Sequence, residues 1–261
     1  MQIESLSEVK EYLDELFYRY NRADFIEHDP ISVPHLFERD EDIEIAGFLS
    51  STIAWGNRKM IVRNAHRMMN IMGQAPFEFV MNATDGDLDD LQGFVHRTFN
   101  HIDLRYFVLA LRRIYLNHGG LGGFFGDRYL ATGDLRVVFS EFYRLFFDDT
   151  ATSRTTRHLS SIDKGAACKR LCMFLKWMVR RDGGGVDLGI WADRIPMSAL
   201  YLPLDIHSGN TSRALGLLDR RANDWRSVEM VTSVLREFDP LDPVKYDFSL
   251  FCAGIDGLLP R

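Results

Sequence analysis

Apolar residues in this chain recur at intervals of three and four, segment after segment. In VKEYLDELFYRY they fall at Val9, Tyr12, Leu13, Leu16 and Phe17, a stripe along one face of a helix. SLSE, Ser5 to Glu8, stands before that stripe as a capping box, in which serine and glutamate satisfy free N–H groups of the first turn. A second helix is expected in DIEIAGFLSSTIAW. Gly56 and Asn57 then break the chain, and Asn57 caps RKMIVRNAHRMMNIM, which ends at Gly73. Asp103 introduces LRYFVLALRRIYLNH, closed by Gly119 and Gly120, and Asp134 introduces LRVVFSEFYRLFF. After a polar joint, DDTATSRTTR, comes DKGAACKRLCMFLKWMVRR, ending in Asp182 and Gly183 to Gly185. Pro196 starts a short turn or helix, and NDWRSVEMVTSVLREF and DPVKYDFSLFCAGI follow. No stretch alternates convincingly at period two, and no internal repeat is visible. The expected fold is all-α.

The length of 261 residues allows one large domain or two small ones with a substantial core. Hydrophobic residues at 46% and charged residues at 26% exclude a disordered chain. The expectation is a single two-lobed helical unit, lobes roughly 1–150 and 151–261, with the joint somewhere in 120–155. No apolar run approaches the ~18 residues that a membrane span needs. The acidic, amphipathic start MQIESLSEVKEYLDEL lacks the basic and apolar regions of a secretory signal. Cys168, Cys172 and Cys252 make no disulfide framework, so a reduced, cytoplasmic setting is expected. Cys168 and Cys172 lie four apart on one helix face, but two ligands are not a zinc site; buried thiols are expected, with no metal and no cofactor.

Net charge is −6, which argues mildly against a nucleic-acid partner. Its distribution argues the other way. Residues 154–181 carry Arg154, Arg157, Lys164, Lys169, Arg170, Lys176, Arg180 and Arg181 against the single acid Asp163, a net +7 on an otherwise acidic body. That is the pattern of a local anion site, or of a solvated basic helix face.

The stretch LPLDIHSGNTSRALGL, 202–217, sets an acid at the entry of a helix. Asp205 is a favoured N-cap: its carboxylate accepts bonds from the first turn's free N–H groups and meets the positive end of the helix dipole. Capping alone explains the residue. The setting adds something, because Tyr201, Leu202, Pro203 and Leu204 put this acid directly after an apolar turn. A cap whose second oxygen faces a cleft is a chemically useful carboxylate.

The same stretch resembles a segment of the helix-hairpin-helix DNA glycosylases, the endonuclease III and oxoguanine glycosylase superfamily. Pro203, Asp205, His207, Leu215, Gly216 and Leu217 fall in register with its pattern, and the resemblance makes Asp205 the catalytic acid. FLSSTIAWGNRKMIVRNAHRMM resembles that superfamily's early helix pair, whose joining loop lies against DNA. Trp55, Gly56 and Asn57 occupy the joint. KYDFSLFCAGI resembles its terminal helix, with Gly254 in the glycine slot. The resemblance runs in patches from about residue 42 to the end and is still stronger to a bacterial family related to these glycosylases, for which it implies a fold and no established reaction. The chain departs from the superfamily at the hairpin. HLSSIDKGAACKR keeps a turn at Asp163 to Gly165 but lacks the further small residues, so the hairpin is degenerate. The two arginine slots of the Asp205 helix hold Asn210 and Ala214, with Arg213 one place early. There is no four-cysteine array for an iron–sulfur cluster.

Many members of the superfamily pair the acid with a lysine that forms a Schiff base with the sugar. KRLCMFLK resembles the lysine helix of the archaeal oxoguanine glycosylase branch. In that register Lys169 is the nucleophile and Lys176 a structural lysine, with Arg170 placed to lower the amine's pKa. Without a lysine in place, Asp205 would activate water instead. Trp55, at a helix joint, could stack on a base or wedge the duplex. The expected activity is therefore DNA base excision on double-stranded DNA, with or without lyase action. The expected catalytic residues are Asp205 and Lys169, and DNA contacts fall on Lys164, Arg170, His207, Asn210, Arg213, Trp55 and Asn57. The alternatives are a nucleic-acid-binding protein on the same scaffold, in which Asp205 survives only as a cap, and a helical interaction protein.

Overall fold

The structure is a computed structural model and describes residues 5–256. It is all-α apart from one small hairpin. In chain order the helices are α1 (Leu6–Tyr20), α2 (Asp40–Thr52), α3 (Arg58–Ile71), α4 (Pro76–Asn82), α5 (Asp85–Asp89), α6 (His101–His118), α7 (Gly120–Thr132), α8 (Leu135–Phe146), α9 (Ser153–Thr156), α10 (Lys169–Val179), α11 (Ile206–Ala214), α12 (Trp225–Phe238) and α13 (Tyr246–Asp256). The hairpin pairs β1 (Val95–His96) with β2 (Phe99–Asn100), Val95 opposite Asn100. Among the described residues no helix is long and apolar enough to cross a membrane.

The chain forms two compact units. The central unit is Ile26–Ser160 with Asp193–Ile195. The terminal unit takes the chain up to Phe25, then Ser161–Ala192, then everything from Pro196. The divisions thus fall after Phe25 and after Ser160, and α1 goes with the C-terminal half, which the expected lobes 1–150 and 151–261 did not provide for. Long-range contacts hold α1 there. Ser249 Oγ donates to the carbonyl of Leu13 at 2.6 Å, Tyr246 OH donates to Asp14 at 3.0 Å, and the rings of Phe17 and Phe248 pack 6.2 Å apart.

The central unit is built on aromatic rings. Phe48, Phe107, Phe125, Phe142 and Phe146 are all buried, with Phe107–Phe146 and Phe125–Phe142 centroids each 4.7 Å apart. Each ring removed from water contributes roughly 1.5–3 kcal/mol. The same core explains α7, which the sequence reading passed over because Gly119 and Gly120 read as a stop. Both glycines do have positive φ, +67° and +89°, and they end α6, but the chain re-enters a helix at once. The buried carboxylate of Glu44 accepts the N–H groups of Leu121 (3.2 Å) and Gly122 (3.0 Å) and the hydroxyl of Tyr115 (2.6 Å). A remote acid therefore caps a glycine-rich helix that its own sequence would not start.

Asp103 is a correction of the same kind. The cap of α6 is Asn100, and Asp103 is the third helical residue of a capping box, its side chain fully buried. It accepts from Asn100 N (3.0 Å) and Thr155 Oγ1 (2.9 Å) and pairs with Arg154 (3.0 Å) and His158 Nε2 (3.4 Å). It ties α6 to the segment around α9. The β hairpin was not legible as an alternation because each strand is two residues long.

Truncation of Phe142 to alanine removes a ring that contacts three neighbours in this cluster. The expected cost is about 3–5 kcal/mol in denaturant unfolding; a loss under about 1 kcal/mol would contradict the packing described.

Candidate active site

Lys169 and Asp205 both belong to the terminal unit. Residues 161–168 set the start of α10. A 3₁₀ turn over Ile162–Lys164 ends at Gly165, whose φ of +74° reverses the chain, so the turn expected at Asp163 to Gly165 is present. The carbonyl of Gly165 accepts from Trp225 N at 3.0 Å, and Ala166 bridges Asp224, so the turn is pinned to the start of α12. Cys168 follows at φ +49°, and Lys169 is the first residue of α10.

Asp205 caps α11. Its Oδ1 accepts from Ser208 N (3.0 Å) and Ser208 Oγ (3.2 Å), and Ser208 Oγ accepts from Asp205 N (2.9 Å). The capping explanation is thus correct, and it uses one carboxylate oxygen. The other, Oδ2, lies 3.4 Å from Lys169 Nζ. The two side chains are 20% and 27% exposed, open enough for a ligand to reach both. Lys169 and Asp205 are brought together from separate helices 36 residues apart in sequence.

Behind this open pair the charges continue inward along one face of α10, at Lys169, Lys176 and Arg180. Lys176 is buried between Asp187 (3.2 Å) and Asp247 (3.6 Å), with its ammonium 3.8 Å from the centre of the Phe248 ring. Arg180 is fully buried and pairs with Asp187 and Asp242, each at 2.9 Å, and with Asp182. Burial lowers the pKa of its guanidinium, but Asp187 and Asp242 outweigh that and raise it. Asp247 is different. Its side chain is 18% exposed and has one ion-pair contact, at 3.6 Å, too long for a hydrogen bond. Burial pushes its pKa up to about 6; Lys176 and Lys169 oppose the rise, while Asp205 and Asp187 add to it. Sequence reasoning missed Asp247. Its signal was a lone acid in the apolar run YDFSLFCAGI.

The remaining expected residues divide sharply. Lys164 is exposed on the 3₁₀ turn, and His207 and Asn210 are exposed on α11, the His207 ring lying edge-on to Phe251 at 6.2 Å. Arg170 is half-buried, and burial brings its guanidinium down to about 10. Arg213 is committed internally: its fork donates to the carbonyls of Arg220 (2.6 Å), Arg221 (2.9 Å) and Ala222 (3.2 Å) and to Asn223 Oδ1 (2.5 Å). Asn223 in turn donates to the Asp205 carbonyl at 2.8 Å, so Arg213 organises the loop that braces the cap. Trp55 and Asn57 lie in the central unit. Asn57 caps α3 through Met60 N, and the half-buried Trp55 ring is stacked on His158 (5.9 Å) and edge-on to His96 (5.0 Å).

The +7 segment is therefore not one solvated basic face. Lys176 and Arg180 face inward onto acids, and Arg154 pairs with Asp103 in the central unit. Cys168 and Cys172 are buried thiols; burial lifts Cys168 to about 12 and Cys172 well above the ordinary range, so neither is a nucleophile. Among the described residues no group of three or more His, Cys, Asp or Glu side chains is placed to hold a metal ion.

Residues 29–256 match the family described as "Protein of unknown function (DUF2400)". The match covers most of the chain, and the chain belongs to that family. No curated protein and no solved structure matches it significantly.

The Asp247 environment carries a stability cost with a definite sign. A carboxyl whose folded pKa is raised binds protons more readily in the native state, so stability falls as pH rises from about 4 to about 6 and the deficit persists at neutral pH. Asp247→Asn should therefore stabilise the protein by about 2 kcal/mol at pH 7.5, with the gain vanishing near pH 4. Thermal unfolding across that range checks it; a neutral-pH loss of stability in the variant would contradict it.

Proposed function

We propose that this chain is a DNA base-excision glycosylase acting in the cytoplasm, with Lys169 as nucleophile and Asp205 as the acid beside it. The single observation that carries this reading is the 3.4 Å contact between Lys169 Nζ and Asp205 Oδ2, half-open to solvent and built from two helix starts. An amine and a carboxylate in reach of one carbon are what displacement of a base from a sugar requires. The carboxylate stabilises positive charge as it develops on the sugar, and the amine closes on the sugar carbon to leave an imine that permits strand cleavage. The glycosidic carbon of paired DNA is out of reach, so the nucleotide must leave the stack, and a lesion that weakens pairing leaves most readily. Lys164, Arg170, His207 and Asn210, from the same unit as the pair, are the contacts proposed for the duplex.

A second reading, a nucleic-acid-binding protein in which Asp205 only caps α11, is favoured by one observation: the capping box at Asp205 is complete. The two readings separate cleanly because asparagine caps a helix as well as aspartate does.

The test is incubation with a panel of duplexes, each carrying one damaged base, with borohydride present. The expected result is a covalent adduct with at least one duplex that disappears in Lys169→Gln. Base release should fall by about 10²-fold or more in Asp205→Asn, with binding retained. Binding should weaken steeply with salt. Salt-dependent binding with neither adduct nor free base from any duplex would establish the second reading, and absence of DNA binding would remove both.

A further inference from the structure

The Lys169–Asp205 pair accounts for two of the three things that loss of a base requires. It supplies a nucleophile and a stabilising charge; it does not supply a proton for the departing group. A base leaving as an anion is a poor leaving group, and so is the hydroxyl of the carbinolamine formed when a lysine attacks a sugar aldehyde. Both steps are accelerated by a positioned acid.

Asp247 lies farther along the charged face of α10, its Oδ2 3.6 Å from Lys176 Nζ. It is the second residue of α13, and it faces the same side of α10 as Lys169 and Lys176. The two carboxylates differ in their partners. Asp205 accepts two hydrogen bonds from Ser208 at a helix start. Asp247 accepts no hydrogen bond among the described residues, and its side chain is partly exposed. The groups around it are Lys169, Cys172 and Lys176 of α10, Asp205 of α11 and Asp187 of the loop after α10. From α1, Asp14 is turned away to Tyr246 and Lys245, and Lys245 is held by Asp239. Arg180 is saturated by Asp187, Asp242 and Asp182. Thus, among the described residues, Asp247 is the acid on this face of α10 that no hydrogen bond engages.

We propose that Asp247 is the proton donor to the leaving group in the reaction at Lys169 and Asp205. This inference rests on the glycosylase reading. In the step that releases the base, the Lys169 nitrogen bonds to the sugar carbon, the electron pair of the carbon–nitrogen glycosidic bond goes to the base, and the base takes the proton of the Asp247 carboxyl. On an abasic sugar the carbinolamine hydroxyl takes that proton and departs as water, while the lysine nitrogen lone pair forms the C=N bond. Solvent then reprotonates Asp247, whose raised pKa suits it to that duty near neutral pH.

The experiment uses the full chain and a duplex with a single abasic site, and follows the rate of borohydride-trapped adduct between pH 5 and 9. Attack requires a neutral amine and rises with pH; proton donation requires protonated Asp247 and falls above pH ~6, so the two slopes cancel and the wild-type rate is expected to level off there. Asp247→Asn should rise without that break, about tenfold slower at pH 6 and within about twofold of wild type at pH 8.5. Asp247→Glu should restore the break. Alongside, carboxyl ¹³C titration of the free protein should show one aspartate titrating near pH 6 that is missing in Asp247→Asn. An unchanged or uniformly lowered profile in Asp247→Asn, or an Asp247 carboxyl already ionised at pH 5, overturns the donor role and leaves the glycosylase reading standing. No adduct from wild type at any pH overturns the glycosylase reading and this inference with it.

Discussion

The terminal unit depends on Asp187. It is buried, it receives Lys176 at 3.2 Å and Arg180 at 2.9 Å, and those two cations are one helical turn apart on α10. A buried cation stripped of its partner is destabilising by several kcal/mol, so the loop carrying Asp187 and the inner half of α10 can adopt only one relation. Asp242 and Asp182 finish the coordination of Arg180 and bring the approach to α13 into the same arrangement. The consequence is felt at the other end of the helix. With its inner half clamped by ions, α10 presents Lys169 at a fixed place, and the backbone bond from Trp225 N to the Gly165 carbonyl fixes the turn that feeds it.

The site follows from that frame by gradation of burial. Arg180 is closed off, Lys176 nearly so, and Lys169 is open. The acids follow the same order. Asp187 is locked by two cations, Asp247 is held without hydrogen bonds among the described residues, and Asp205 is bound at a helix start with its other oxygen facing Lys169. Charged groups that serve only stability would be paired throughout, as Arg180 is. The outer end of the ladder is under-paired, and an under-paired acid costs stability in the resting protein, which is the usual signature of a site kept for chemistry.

Much of the fold could be read from spacing, because helices with one buried face announce themselves in three- and four-residue intervals. α1 and α3 appear with the caps read from the sequence, Ser5 and Asn57, and α12 appears where its spacing placed it. What escaped was decided at long range. α7 starts on the carboxylate of Glu44, from a helix far away in sequence, and Asp103 was drawn inward by Thr155, Arg154 and His158. At the candidate site, Asp205 was legible as a helix cap from its local pattern, whereas Lys169 was singled out only by resemblance, and spacing gave no sign that the two would meet. Asp247 was not legible, because its importance comes from which side of α13 meets α10. Arg213 had the right chemistry for phosphate, but the carbonyls of residues 220–222 had already claimed it.

The central claim is that the amine at Lys169, and no other, reacts with the sugar. Proteolysis of a borohydride-trapped complex with abasic DNA, followed by mass spectrometry of the modified peptide, tests it most directly. The mass increment should sit on Lys169, which would also block cleavage there and join KGAACK's final lysine to the residues that follow. An increment on Lys164, on another exposed lysine or on the α-amino group would contradict it and reduce the pairing with Asp205 to a helix-start ion pair.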